Sequence, residues 1–372
     1  MISSLPKLAD RAFIVGFLLP TLLFFLATIC LLSDIGFFAN ILPAIGETEK
    51  WDKIAYLIIG LWTFSVLLQI INNAQYQMLE GYTWPLKYIN FLKRREESRY
   101  DELNARVSEL KKKRYQDKLR LTNNEEEELM DKWIELCQQF PGNREILLPT
   151  RFGNAILAFE HYSNEIYEAD SVTLWSHLSS VIPKEFQGYI ADARAQVDCL
   201  VNIVFFALIL AALSIIRGLI AFYYLLDYDH ANAGITIYGP KIGFFVGFSL
   251  LSALFAVSAY KLATRKVYAW GSYVKAAFDC YLPDLAEKLG FRIPIKIHDA
   301  RKLWKLISIR AAMHVPFEPD PSMLAAETSG GKTSDRVSVK KHGEQPNSED
   351  QQNGAESDAG KKNNAADPPT DG

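Results

Sequence analysis

Charge is missing from four long stretches of this sequence, although charged residues make up 22% of its 372 residues. The third stretch contains a single arginine, Arg217, and the other three contain no charge at all. Each is about 18–27 residues long, enough to cross a ~30 Å hydrocarbon core at ~1.5 Å per residue. The sequence therefore predicts four transmembrane helices, at Ala12–Leu32, Ile54–Ile71, Leu200–Leu226 and Ile242–Tyr260.

The sequence also has few cysteines and a small net charge. The four cysteines, Cys30, Cys137, Cys199 and Cys280, are far apart and form no CxxC pair. This spacing argues against a disulfide framework or a zinc site and favours buried, reduced thiols. The formal net charge of −3 provides no overall positive field, so we expect no nucleic-acid partner.

The polar insert between the second and third stretches lacks catalytic motifs. It contains no HExxH, GxSxG or glycine-rich phosphate loop. Its densest group of acids and histidine includes one pair at helical i,i+4 spacing, so a solvated helix face is favoured over a metal or hydrolase site. This group consists of Glu160, His161, Glu165, Glu168 and Asp170. We expect no enzyme activity and no cofactor.

The first stretch could instead be a cleaved signal peptide, because Lys7 and Arg11 precede it. It is longer, however, than the ~7–15 apolar residues of a signal, and no clear cleavage site follows. A retained first span is favoured, with a local kink at Pro20.

Basic residues near the span ends predict the orientation. The loops at Ser33–Lys53 and Asp227–Pro240 are acidic overall, and basic residues follow spans two and four. We therefore expect a multi-pass protein of the inner membrane, with the N-terminus, the insert and the C-terminus in the cytoplasm. The basic residues are Lys87, Lys93, Arg94, Arg95, Lys261, Arg265 and Lys266.

The segment from Pro85 to Gln139 predicts a helical hairpin with a short coiled-coil-like stripe. The sequence Thr122-Asn123-Asn124 is expected to end the first arm and to cap the second, whose acidic residues would face the basic first arm. A solvated, self-complementary surface is the favoured interpretation. The alternative is that Lys93, Arg94 and Arg95 contact anionic lipid headgroups.

Further along the insert, Thr150 is predicted to be the N-cap of the helical segment that leads into Ala155–Tyr167. Arg151 and Asn154, beside Gly153, are a candidate interaction site, with a structural turn as the alternative. Spans three and four lack helix breakers on their cytoplasmic sides, which predicts that both continue inward as rods. Pro283 is expected to open a separate short helix, and 317–372 to be disordered.

Three segments resemble a family of uncharacterised four-span bacterial membrane proteins. They are Leu148–Asn154 (LPTRFGN), the following residues up to Pro183, and Ala277–Pro283 (AFDCYLP) with Leu289 and Gly290. The resemblance implies a four-span membrane architecture and no activity, cofactor or catalytic residue.

The predicted fold class is all-α, a polytopic membrane protein with four transmembrane helices and a helical cytoplasmic domain. The predicted regions are 1–75, 76–198, 199–262, 263–316 and 317–372. An oligomeric channel, pore or membrane effector, controlled by the cytoplasmic domain, is the leading functional hypothesis. A charge inside a membrane is costly, which makes Arg217 the candidate pore residue. A non-conducting scaffold or sensor is the alternative.

Overall fold

The computed structural model of the chain describes residues 10–33, 51–115, 121–226 and 231–317. All of the regular secondary structure in these residues is helical. They belong to one compact unit, Met1–Ala325, and the second unit, Ala326–Gly372, lies outside them. The predicted disordered tail and most of the first acidic loop also lie outside the described residues.

The described residues form ten α-helices. Four of these are long and apolar enough to cross a membrane: α1, α2, α8 and α9. The helices are α1 (Arg11–Leu32), α2 (Trp51–Glu80), α3 (Asn90–Tyr115), α4 (Asn123–Gln139), α5 (Arg151–Glu160), α6 (Tyr162–Tyr167), α7 (Ser171–Leu178), α8 (Lys184–Leu226), α9 (Ala231–Lys288) and α10 (Ile297–Met313).

The first helix, α1, contains a π-helical turn at Ile14–Leu18. Pro20 lacks the backbone N–H that an α-helix would direct at the carbonyl four residues earlier, which is that of Gly16. The Gly16 carbonyl accepts a hydrogen bond of 2.8 Å from the side chain of Asn202 on α8. A π-helical turn therefore precedes Pro20, at which the sequence predicts a local kink, and a second helix supplies a donor to the buried Gly16 carbonyl.

The rods predicted for spans three and four are confirmed. Helix α8 has 43 residues and α9 has 58, which corresponds to about 65 and 87 Å at ~1.5 Å per residue. Both exceed a ~30 Å hydrocarbon core. Each helix therefore continues without a break from its apolar stretch into a polar helical domain.

Two predictions about α9 are wrong. Pro283 does not open a new helix, because α9 continues through it to Lys288. Leu282, Leu285 and Ala286 are 3%, 1% and 0% exposed, and burial of this face offsets the ~3 kcal/mol cost of a proline inside a helix. Helix α9 also begins at Ala231, so the second loop ends earlier than the predicted boundary at Pro240.

A glycine in the left-handed conformation ends α9. Gly290 has a φ of +81°, a conformation that suits a residue without Cβ. The N–H of Phe291 donates to the carbonyl of Ala286 at 2.8 Å, which closes the helix end. Phe291 is 3% exposed, so this turn leads the chain back onto the core.

The largest core lies in the helical domain, where the extensions of α8 and α9 pack with α2, α5, α7 and α10. Burial of these apolar side chains is the main source of its stability. Its most enclosed members include Phe152, Leu174, Leu178, Val197, Val201, Val267, Phe278, Leu285, Leu303 and Ile307.

The charged hairpin of α3 and α4 is confirmed. Thr122 caps α4 and forms a capping box with Glu125. Across the hairpin, Nε and Nη2 of Arg106 donate to the two carboxylate oxygens of Glu128, at 2.8 and 2.7 Å. Lys113 also forms an ion pair across the hairpin, with Glu125 Oε1. The opposite charges of the two arms therefore hold them side by side.

Candidate functional site at the junction of the spans and the helical domain

A cluster of buried polar residues lies where α1, α2 and α8 meet, at the end of the apolar stretches nearest the helical domain. Its carboxylate belongs to Asp198 on α8, which is 6% exposed. Asn72, Gln75 and Tyr76 share one face of α2, and Asn202 lies one turn after Asp198 on α8. We call these five residues the junction cluster.

Hydrogen bonds connect the junction cluster across the helices. Tyr76 Oη donates to Asp198 Oδ1 at 2.7 Å, and Asn72 Nδ2 donates to the same oxygen at 3.0 Å. On the other side, Asn202 Nδ2 donates to the Gly16 carbonyl of α1. Polar side chains therefore join three apolar helices. Sliding one of these helices along another would break the hydrogen bonds, so in a membrane the bonds also fix the relative axial positions of the helices.

One cation lies at the edge of the cluster. Arg194 Nε is 3.9 Å from Asp198 Oδ2, and the Arg194 side chain is 58% exposed. The guanidinium carbon also lies 5.7 Å from the centroid of the Trp270 ring on α9. This distance to the carboxylate permits attraction, but it is too long for a hydrogen bond. The Asp198 carboxylate therefore depends mainly on Tyr76 and Asn72.

Sequence reasoning did not identify the junction cluster. Asp198 lies two residues before Leu200, the start of the third apolar stretch, where an acid is usually assigned to the aqueous boundary. A signal was nevertheless present: Arg194, Asp198 and Asn202 repeat every four residues on α8. Such spacing places them on one helix face, opposite a similar polar face on α2.

Arg217 lies on α8, near the C-terminal end of that helix at Leu226. Its guanidinium carbon is 5.1 Å from the centroid of the Phe245 ring on α9, a cation–π distance. Its neighbour Gly218 and Phe245 line an apolar groove of about 290 Å³ between α8 and α9, together with Ser214 and Ser249. The structure places Arg217 between these two helices and separate from the junction cluster.

The second candidate site, Arg151 and Asn154, lies in a tight turn. Thr150 caps α5 by accepting from the Gly153 N–H, as predicted. The Asn154 amide binds the backbone of Leu148 twice, at 2.7 and 3.0 Å, and Asn154 is 0% exposed. The oxygen and the nitrogen of the Asn154 side-chain amide are both hydrogen-bonded within the fold. The geometry therefore favours a structural turn over an interaction site for Asn154.

Arg151 is the accessible member of this pair. Its Nε lies 3.5 Å from Glu96 Oε1, and its side chain is 47% exposed. Glu96 is also bound by Arg99, at 2.7 Å. The turn itself docks on the end of α2, because Thr150 Oγ1 donates to the carbonyl of Glu80 at 2.9 Å.

The acid and histidine group of the insert is dispersed among structural contacts. Glu165 accepts from the Gly142 N–H at 2.7 Å, Glu168 pairs with Arg301 at 3.3 Å, and Asp170 caps α7. Burial raises the pKa of Glu160. No group of three or more His, Cys, Asp or Glu side chains that could hold a metal ion occurs among the described residues.

Asp279, in the AFDCYLP segment, binds two tyrosines of α6. It accepts from Tyr162 at 2.9 Å and from Tyr167 at 2.8 Å. Burial and this carboxylate together raise the pKa of Tyr162 to about 12. Both tyrosines are therefore neutral donors at physiological pH, and they fix α6 against α9.

No family model, curated protein or solved structure matches this chain. The resemblance to bacterial four-span membrane proteins therefore rests on the quoted segments themselves.

Proposed function

We propose that this protein is an oligomeric membrane channel or pore, or a membrane effector, controlled by its helical domain on the cytoplasmic side. The continuity of α8 and α9 is the observation that carries the proposal. Both helices belong to the apolar stretches at one end and to the largest core at the other. A shift of packed helices in the domain would therefore move the spans with it.

Several subunits are needed for conduction. Arg217 is the only charge within the four apolar stretches, and one such residue cannot line a polar path alone. The lipid-facing sides of α8 and α9 carry exposed apolar residues beside the groove, including Ile215, Leu219, Leu250 and Leu254. These faces offer a surface where further subunits would bring their own Arg217 residues into a ring, an arrangement that favours anions.

The test is ion flux in liposomes that contain the purified protein, with its mass in detergent measured in parallel. Arg217→Glu is expected to change ion selectivity or abolish flux, and Arg217→Leu to reduce flux. Lys184→Glu is the matched control, since it makes the same charge change on an exposed residue at the opposite end of α8. Unchanged flux in both Arg217 variants, with normal assembly, would remove Arg217 from the mechanism.

A non-conducting scaffold or sensor is the second candidate. The burial of the junction cluster favours it, because Asp198 and Asn202 are 6% and 0% exposed within a single chain. Polar side chains that are buried within one chain hold its helices together and do not line a path for ions. Liposomes that hold correctly assembled protein and show no flux of anions or cations would support this alternative.

Anionic lipid is the proposed partner of the segment after α2. Trp84, Tyr88 and Phe91 are 74%, 70% and 71% exposed, and they precede Lys93, Arg94 and Arg95. Aromatic rings beside basic residues are typical of a membrane interface, where each basic residue contributes ~1 kcal/mol with anionic lipid.

A spin label at Phe91 in lipid nanodiscs tests this proposal. Its immersion is expected to increase when anionic lipid replaces neutral lipid, and the increase should be lost in the triple variant Lys93→Glu, Arg94→Glu, Arg95→Glu. Lys112→Glu, at an exposed position on α3, serves as the control. An immersion that does not depend on lipid charge would contradict the proposal.

A further inference from the structure

The junction cluster contains three oxygen acceptors that are buried without a hydrogen-bond partner. They are Asn72 Oδ1, Gln75 Oε1 and Asn202 Oδ1. The three residues are 6%, 6% and 0% exposed. A buried acceptor without a donor costs ~1–3 kcal/mol, so three of them on the two helices that also carry Asp198 and Tyr76 indicate a ligand that is attracted to oxygen.

The hydrogen bonds of two of these amides fix which atom is the oxygen. Asn72 directs Nδ2 at a carboxylate oxygen of Asp198, and Asn202 directs Nδ2 at the Gly16 carbonyl. Rotating either amide by a half-turn would place oxygen against oxygen, which is repulsive. The unpaired acceptors of Asn72 and Asn202 are therefore a consequence of the network and not of an arbitrary assignment.

The donor set selects the class of ligand. Amide and carboxylate oxygens are hard donors, which suit hard cations and not the softer transition metals. The cluster contains one buried carboxylate, Asp198, whereas the Arg194 side chain at its edge is 58% exposed to solvent. A monovalent cation balances the single buried charge, and a divalent ion would leave an excess of buried positive charge.

The backbone beside the cluster has the irregularity found at such sites. The π-helical turn of α1 lies next to Asp198: a Cβ added to Gly16 would be 3.3 Å from the Asp198 Cβ. Irregular helix segments within membranes occur where they line a cavity, and their carbonyls serve as ligands for Na⁺ in transporters. Residue 16 is glycine, which permits this close approach.

From these observations we propose that the junction cluster binds a monovalent cation, Na⁺, through the Asp198 carboxylate and the amide oxygens of Asn72, Gln75 and Asn202. The bound ion would join α2 to α8 at the point where the spans enter the helical domain. This inference does not require conduction, and it goes beyond the proposed function.

Thermal unfolding of the purified full chain in detergent tests the proposal. NaCl is compared with KCl and choline chloride at equal ionic strength, because an ion that binds only the folded state stabilises it by mass action. For a site half filled at about 10 mM, about 100 mM Na⁺ is expected to raise the melting temperature by about 3–6 °C over choline.

Asp198→Asn is expected to abolish the difference between NaCl and choline, whatever its own melting temperature. Asp192→Asn is the matched control: it lies on the same helix, removes the same charge and is ion-paired with Arg11 at 3.3 Å. This variant should keep the full Na⁺ response. Gln75→Met, which removes one oxygen and retains the volume, should shift the response to higher Na⁺ concentrations.

Three outcomes would overturn the proposal. One is a wild-type melting temperature that is the same in Na⁺ and choline. Another is a Na⁺ response that survives in both Asp198→Asn and Gln75→Met. The third is a melting temperature that follows pH and ignores Na⁺, which would make Asp198 a site for a proton.

Discussion

The side-chain amide of Asn202 donates a hydrogen bond of 2.8 Å to the backbone carbonyl of Gly16. The two residues are 186 positions apart in the chain. Pro20 removes the N–H that would satisfy this carbonyl within an α-helix, and a side chain of α8 provides a replacement. This bond joins the first apolar helix to the third and brings the π-helical turn against Asp198.

The bond predicts that Asn202→Ala destabilises the protein by ~1–3 kcal/mol, because the Gly16 carbonyl would be buried without a donor. Denaturant unfolding in detergent measures the change. Asn73→Ala, at an exposed position on α2, is the control and should change stability by less than about 0.5 kcal/mol. Pro20→Ala should recover part of the loss, since it restores a backbone N–H. A double variant no more stable than Asn202→Ala would argue against this coupling.

Gly153→Ala is expected to be strongly destabilising. A Cβ at this position would lie 2.4 Å from the backbone oxygen of Glu80, and a backbone atom of α2 cannot move aside cheaply. We expect a loss of ~1–3 kcal/mol from overpacking. Gly188→Ala is the matched control, because nothing lies within 4 Å of its added Cβ. In the helix interior it should stabilise by ~0.5–1 kcal/mol. Equal melting temperatures for the two variants would contradict the docking of this turn on α2.

The α3–α4 hairpin should weaken in acid because of Glu125. Lys113 and the capping-box bonds lower the pKa of this carboxyl from 4.5 to about 2. A lowered pKa in the folded state means that the contribution is complete above the unfolded value and is lost as the pH falls from 4.5 towards 2. Glu125→Gln should therefore remove part of the pH dependence of unfolding in this window. An identical acid profile in the variant would show that the pair contributes nothing.

The orientation predicted from the basic residues at the span ends implies which sites react from outside the cell. Single cysteines at Glu47 and Asn232, in a background without the four natural cysteines, should react with an impermeant maleimide in intact cells. A cysteine at Lys112 should react only after the membrane is permeabilised. Labelling of Lys112 together with protection of Asn232 in intact cells would reverse the topology.

The sequence by itself determined the four apolar stretches, the two rods, the α3–α4 hairpin and the cap at Thr150. Each of these depends on residues close together in the chain: runs without charge, the absence of helix breakers, and capping residues at fixed offsets. Sequence also marked Arg217, because an isolated charge in an apolar run is visible without any structure.

Only the tertiary structure decided the rest. Pro283 stays inside α9 because the packing of its neighbours outweighs the proline penalty, and no local pattern reports that burial. Asn154 turned inward because its partners are the backbone groups of Leu148. The junction cluster combines Asn72, Gln75 and Tyr76 of α2 with Asp198 and Asn202 of α8, and helix packing alone brings them together next to Gly16 of α1. Polar residues that appear as a boundary in the sequence become a buried site only when three helices enclose them.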